Sequence, residues 1–191
     1  MWPDRLQLPL RFDPDRMQHD LAQVQGGEWI RHFVTQNYDG DWSVIPLRGP
    51  AGATHPVQMI YPDPTASAFA DAPALTATPY LRETLGAFAC PLQCVRLMRL
   101  TPGSCIKAHM DHDLTAESGV ARIHAPITTN PGVDFRLNGE RIDMAPGEAW
   151  YLRLADTHSV ENRGTTDRVH LVIDVEVNDW LAGLLDAAAA A

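Results

Sequence analysis

Three runs decide the fold: Val95-Arg-Leu-Met-Arg-Leu100, Val120-Ala-Arg-Ile-His-Ala-Pro-Ile-Thr128 and Arg168-Val-His-Leu-Val-Ile-Asp-Val175. Each is short, rich in branched apolar residues and closed by turn-forming residues, the signature of a buried strand. Between them lie further runs of the same kind. Ile106 opens a strand that delivers His109, Val133 to Leu137 leads into the hairpin turn Asn138-Gly139, and Arg141 to Met144 follows. Ala145-Pro-Gly147 then turns the chain into Glu148 to Leu154. Asn-Gly favours the tight two-residue connection because both residues tolerate positive φ. Short strands at regular spacing without a sequence repeat predict a mainly β fold, a double-stranded β-helix or cupin-like jelly roll, over residues 95–177.

The flanks read as support for that core within a single domain, 1–191. In the N-terminal part, residues 1–94, Leu6 to Phe12 predicts a short strand. Asp13-Pro14 opens a helix, because Asp caps free N–H groups and Pro fits the first turn. Met17, Leu21 and Val24 recur at helical spacing, and Gly26-Gly27 ends the element. Trp29, Ile30 and Phe33 suggest a second short helical or packed segment. A turn at Tyr38-Asp-Gly-Asp41 precedes the strand Trp42 to Arg48, which Gly49-Pro50 should stop. Residues 50–78, rich in Pro, Ala, Thr and Asp, predict a long surface loop lining a mouth. Pro79 to Ala87 is helical in pattern, and in the segment 178–191 Asn178 caps a short terminal helix.

The 191 residues suffice for one full core, and the 45% hydrophobic, 20% charged composition is that of an ordinary globular protein. A net charge of −9 argues against nucleic acid or an anionic membrane as the main partner. No apolar run reaches membrane-spanning length and the start lacks a signal-peptide pattern, so a cytoplasmic location is expected. Cys90, Cys94 and Cys105 are odd in number and lack paired zinc-type spacing, which predicts reduced thiols rather than a metal clip.

The chemistry gathers between His109 and Arg168. A lone His-x-Asp arises often by accident. On a strand, however, positions i and i+2 share a face, so His109 and Asp111 can converge on one ion; His112 competes but takes the other face. His158 follows the strand that ends near Leu154, where an isolated histidine would otherwise be read as solvated. Two imidazoles and one carboxylate form the facial set suited to non-haem Fe(II). Arg168 opens an apolar strand and would be costly to bury without an anion, although an exposed edge position is the bland alternative. Alternation puts His170 on its face, beside the same anion or as an ordinary core histidine. Arg122 and His124 likewise share one face, inward toward a carboxylate or outward as a solvated stripe.

Taken together, Thr101-Pro-Gly-Ser104 before His109, the Arg122-x-His124 pair and Arg168-Val-His-Leu-Val-Ile-Asp174 resemble the aspartyl/asparaginyl β-hydroxylase family of Fe(II)/2-oxoglutarate dioxygenases. The likeness runs from about Val95 to Val177, and Tyr38 to Arg48 looks similar to bacterial members. The mammalian namesake carries glycine where Asp111 stands, so this chain is similar to members with a complete triad. The resemblance implies iron held by His109, Asp111 and His158, with 2-oxoglutarate and O2 as cosubstrates and Arg168 gripping the distal carboxylate. It further implies that Arg122 and His124 contact cosubstrate or substrate carboxylates. The implied activity is hydroxylation of an unactivated C–H of an amino acid, peptidyl residue or small metabolite, releasing succinate and CO2. His124 and His170 are the further cosubstrate candidates; Arg122, Trp42, Arg48 and the 50–78 segment are the substrate candidates. The competing readings are a metal-binding, cupin-like ligand sensor without oxygenase activity, and another metal enzyme on the same sandwich.

Overall fold

The computed structural model describes residues 1–61, 63 and 65–191. Its strands are β1 (Arg5–Arg11), β2 (Ile30–Arg31), β3 (Tyr38–Asp39), β4 (Trp42–Pro50), β5 (Phe69–Asp71), β6 (Leu92–Leu100) and β7 (Cys105–His109). They continue with β8 (Val120–Thr128), β9 (Val133–Leu137), β10 (Glu140–Arg141), β11 (Glu148–Leu152), β12 (His158–Asn162) and β13 (Arg168–Glu176). The α-helices are α1 (Pro14–Val24), α2 (Pro56–Ile60), α3 (Pro73–Thr76), α4 (Pro79–Leu85) and α5 (Asp179–Ala189). A major sheet runs β1-β11-β8-β13-β6-β4-β2, with β5 on β4; a minor sheet runs β10-β9-β12-β7-β3. The two sheets form the expected jelly roll.

Period-two alternation sorts the major sheet's side chains into two populations. Val169, Leu171, Ile173 and Val175 of β13 join Ala121, Ile123, Ala125 and Ile127 of β8 and Val95 and Leu97 of β6 in one apolar layer. Helices α1, α4 and α5 cover that layer with Met17, Leu21, Leu81, Leu85, Leu181 and Leu185. The opposite face looks toward the minor sheet and carries Met98, Leu100 and Val172, which pack on Ile106, Phe135, Leu137 and Val160. The same face bears Arg96, Arg122, His124, Arg168, His170 and Asp174, all buried. With both faces covered, β13 reads as a near-continuous apolar run.

Local signals hold where they are strongest. The Asp13 carboxylate accepts from the N–H groups of Asp15 and Arg16 at the start of α1, and Asn178 caps α5 through the Leu181 N–H. Asn138 and Gly139 have φ of 53° and 80°, the turn their pairing predicts.

Several expectations change. Gly49-Pro50 does not stop β4, because Arg48, Gly49 and Pro50 pair with Asp71, Ala70 and Phe69 of β5. Segment 50–78 therefore holds α2, β5 and α3 rather than structureless loop; Pro62 and Pro64 lie outside the described residues. In the Trp29–Phe33 region, expected as a helical or packed segment, Ile30–Arg31 form β2 on β4, and Trp29, Ile30 and Phe33 pack against the core. Strands β1, β2, β4 and β5 extend the major sheet and β3 the minor one, so the first 94 residues contribute strands to the sandwich as well as helices that pack on it. Among the described residues, no helix is long and apolar enough to cross a membrane.

Leu171 has no exposure and sits in the helix-facing layer. Leu171→Ala should lower unfolding stability by about 2–5 kcal/mol in urea titrations, whereas a surface site would lose under about 0.5 kcal/mol.

Candidate metal and anion site

The ligand atoms of His109, Asp111 and His158 all lie within 4.8 Å of one another. His109 ends β7 and His158 begins β12, and the two are direct cross-strand partners with ring centroids 4.2 Å apart. His158 is thus not on a loop beyond a strand, as expected, but starts a strand absent from the sequence reading. His109 Nδ1 lies 2.8 Å from the Lys107 carbonyl and His158 Nδ1 3.0 Å from the Asp156 carbonyl. A carbonyl only accepts, so each ring carries a proton on Nδ1, and Nε2 is the nitrogen left to ligate a metal. Burial lowers the His158 pKa, which favours the neutral, ligating form.

Asp111 arrives by another route than strand alternation, since β7 ends at His109. Its N–H donates to the Leu154 carbonyl at 2.8 Å. Arg122 Nη1 holds its Oδ2 at 2.7 Å, while Oδ1 lies 3.6 Å from His109 Nε2. His112 borders the same cavity but stays outside the converging group.

The cavity, about 470 Å³, lies between the sheets, and its lining includes Arg168, His124, Arg122 and the three converging residues. Arg168 is 2% exposed and has no carboxylate partner among the described residues. Its Nη2 donates to His170 Nδ1 at 2.9 Å, and its Nε is buried without a partner. Desolvation alone lowers its pKa to about 9. An uncompensated buried guanidinium is an anion site by its energetics, because a carboxylate would restore what burial removes. His124 is buried against it, with Nε2 also unpartnered and its pKa pushed well down, chiefly by burial and then by Arg168. His170 backs Arg168 and His124 without lining the cavity, so it supports the guanidinium instead of meeting the same anion.

Two expected substrate contacts are placed differently. Arg122 lines the cavity, but Nε, Nη1 and Nη2 are all engaged by Asp174 and Asp111. Arg48 lies away from the cavity, bonded to Asp71 and to the carbonyls of Phe69 and Leu92. Trp42 does line the wall, and His32 stacks on it at 3.5 Å and 8°. Phe33 continues the stack and Tyr61 meets Phe33 edge-on. His32 carried no sequence signal; β2 pairing with β4 brings it there, its N–H donating to the Trp42 carbonyl. Asp174 and Arg96 were also missed, although alternation from Arg168 and Met98 would have put both on the cavity face.

Two imidazoles and a carboxylate converge on the wall of a cavity that Arg168 also lines, the donor set of a facial two-histidine, one-carboxylate metal site. The family model for aspartyl/asparaginyl beta-hydroxylase matches residues 13–177, and the chain belongs to that family. It is 28% identical over 169 residues to L-proline cis-4-hydroxylase of Rhizobium meliloti (strain 1021), covering 87% of this chain. The chain spans 59% of that relative's length. Viral collagen prolyl hydroxylase from Paramecium Bursaria Chlorella virus-1 superposes with a TM-score of 0.52 at 9% identity, over 92% of this chain and 97% of that one. A 2OG-Fe(II) oxygenase-family oxidoreductase from Burkholderia pseudomallei gives 0.51 at 16% identity, over 84% and 77%. These two likenesses establish the shared fold.

Burial pushes the pKa values of both His124 and His170 well below the ordinary histidine value. The unfolded chain, with histidine near about 6.5, therefore takes up these protons first as pH falls. Their contribution is fully present above about 6.5 and is lost on acidification, by about 1 kcal/mol per histidine per pH unit. Urea unfolding at pH 7 and 5.5 should show this slope, reduced by about half of that two-histidine share in His170→Gln.

Proposed function

We propose that this protein is an Fe(II)/2-oxoglutarate-dependent hydroxylase acting on an amino acid, a peptidyl residue or a related small metabolite. The observation that carries the reading is the buried Arg168 guanidinium, without a carboxylate partner among the described residues, lining the same cavity as the His109–Asp111–His158 cluster. Family membership and the named activity of the L-proline cis-4-hydroxylase relative support it.

His109 and His158 would hold the iron through Nε2 and Asp111 through Oδ1, the donor set and protonation pattern that Fe(II) requires. Three protein ligands on one face leave the opposite positions free. Arg168 would take the distal carboxylate of 2-oxoglutarate, and its fork geometry favours a bidentate grip that lysine cannot reproduce. His124, neutral and beside it, adds a polar contact without adding charge. When bound, iron and 2-oxoglutarate supply the oxidising power: O2 is consumed, 2-oxoglutarate leaves as succinate and CO2, and one oxygen atom enters a substrate C–H bond.

The protein's part is binding, orientation and exclusion of competing reactions. The stacked His32, Trp42 and Phe33 rings form an apolar wall against which the carbon skeleton of a substrate would pack. Burial, then the nearby Arg96 and Arg122 charges, lower the His32 pKa to about 3, so that wall stays uncharged.

With Fe(II), ascorbate and 2-oxoglutarate supplied, mass spectrometry across amino acids and cell extract should reveal a product one oxygen atom heavier, matched by succinate. A metal-binding sensor would form neither. Arg168→Lys should weaken 2-oxoglutarate at least 10-fold while leaving metal affinity within about twofold, the loss expected when a bidentate fork becomes a point charge. Equal cosubstrate affinities in parent and variant would refute the assignment of Arg168.

A further inference from the structure

Asp111 differs from the other two members of the cluster in how it is held. His109 and His158 sit in paired strands, whereas Asp111 follows the end of β7 in a turn whose next residue but one, Asp113, has φ of 63°. Backbone bonds to Leu154 and from Leu114 fix the main chain there. They do not fix the direction of the carboxylate. A ligand on a turn needs a side-chain partner to hold it within the narrow tolerance of a metal site.

That partner comes from the opposite sheet. On its cavity face, Asp174 of β13 is the cross-strand neighbour of Arg122 of β8, and Arg96 of β6 lies opposite Val172 of β13. Arg122 grips Asp174 as a fork, Nε to Oδ1 at 2.6 Å and Nη2 to Oδ2 at 3.1 Å. Its remaining nitrogen, Nη1, reaches Asp111 Oδ2. Arg96 bonds Asp174 Oδ2 from the other side and anchors on the Ile60 carbonyl at 3.0 Å. Charges therefore alternate, Arg96 positive, Asp174 negative, Arg122 positive, Asp111 negative, and the chain is neutral as a whole. Arg96 and Asp174 are each 1% exposed, and Arg122 is 8% exposed. Burial raises the Asp174 pKa, but the two guanidinium groups outweigh it and hold it below the usual carboxylate value.

We propose that Arg122 and Asp174 are positioning residues for the metal ligand Asp111, with Arg96 buttressing them, rather than substrate-binding groups. Asp174 locks the guanidinium plane of Arg122, and Arg122 then occupies one carboxylate oxygen of Asp111. The free oxygen is the one nearer His109, so Asp111 serves as a one-oxygen ligand. The inference rests on the metal-site reading given above.

The test is anaerobic Co(II) titration of the full chain without substrate or 2-oxoglutarate, followed by visible absorption, with thermal unfolding recorded for each variant. Asp174→Asn should weaken Co(II) binding about 10-fold or more, as loss of a group supporting a ligand does, and change the visible spectrum. Arg122→Lys keeps the charge balance but loses the fork, and should show a smaller loss with the same spectral change. If Asp174→Asn does not fold, Arg122→Lys decides alone. Variants with the parent's Co(II) affinity and spectrum overturn the proposal, and a raised substrate KM in them would put Arg122 at the substrate instead. A parent that binds no Co(II) overturns the metal reading together with the relay. A parent that binds, with variants that bind equally, overturns the relay alone.

Discussion

The central strands of the major sheet, β6, β8 and β13, are buried on both faces, and the rest of the molecule follows from that constraint. Helices α1, α4 and α5 cover one face with aliphatic side chains, and each buried charged or imidazole group on β6, β8 and β13 turns toward the minor sheet. There it is removed from water and needs a partner, since an unpaired buried charge costs several kcal/mol. Arg96 and Arg122 share Asp174. Arg168 has only the lone pair of a histidine. Asp174 and Asp111 neutralise Arg96 and Arg122, which leaves Arg168 as a cavity-lining guanidinium without a carboxylate among the described residues.

The two sheets divide the work. The minor sheet contributes the imidazoles from adjacent, antiparallel strand ends, where cross-strand pairing sets their separation. The major sheet contributes guanidinium groups at graded depth, Arg122 beside Asp111 and Arg168 beside Phe135, whose ring centroid lies 5.8 Å from its guanidinium carbon. The N-terminal strands extend both sheets and bring aromatic rings to the rim. The converging triad, the Arg168 guanidinium and the aromatic wall thus sit on separate elements. Such separation lets the wall vary without disturbing the triad, as expected of sites grafted on a common fold.

Much of this was legible in the residues. Strand periodicity between Val95 and Val177, the Asn138-Gly139 turn and the caps at Asp13 and Asn178 are local signals, and local interactions realise them. The segment 50–78 was not legible, because α2, α3 and β5 owe their existence to packing and pairing along β4 instead of to any periodicity of their own. Asp111 was expected on a strand face. A turn and an arginine from the other sheet bring it to the same place.

Residue types and period-two alternation, read from the sequence by itself, determined the jelly roll and offered His109, Asp111 and His158 as a converging set, but left Arg168 open between a buried and an exposed edge position. Tertiary structure decided which charges neutralise one another: Arg122 turns to Asp174 and Asp111, Arg48 to Asp71, and Arg168 to no carboxylate among the described residues. It also delivered His32 to the cavity wall. The physical reason is that periodicity assigns a side chain to a face, a property of one strand, whereas its partner across a cavity depends on the register of several strands distant in sequence.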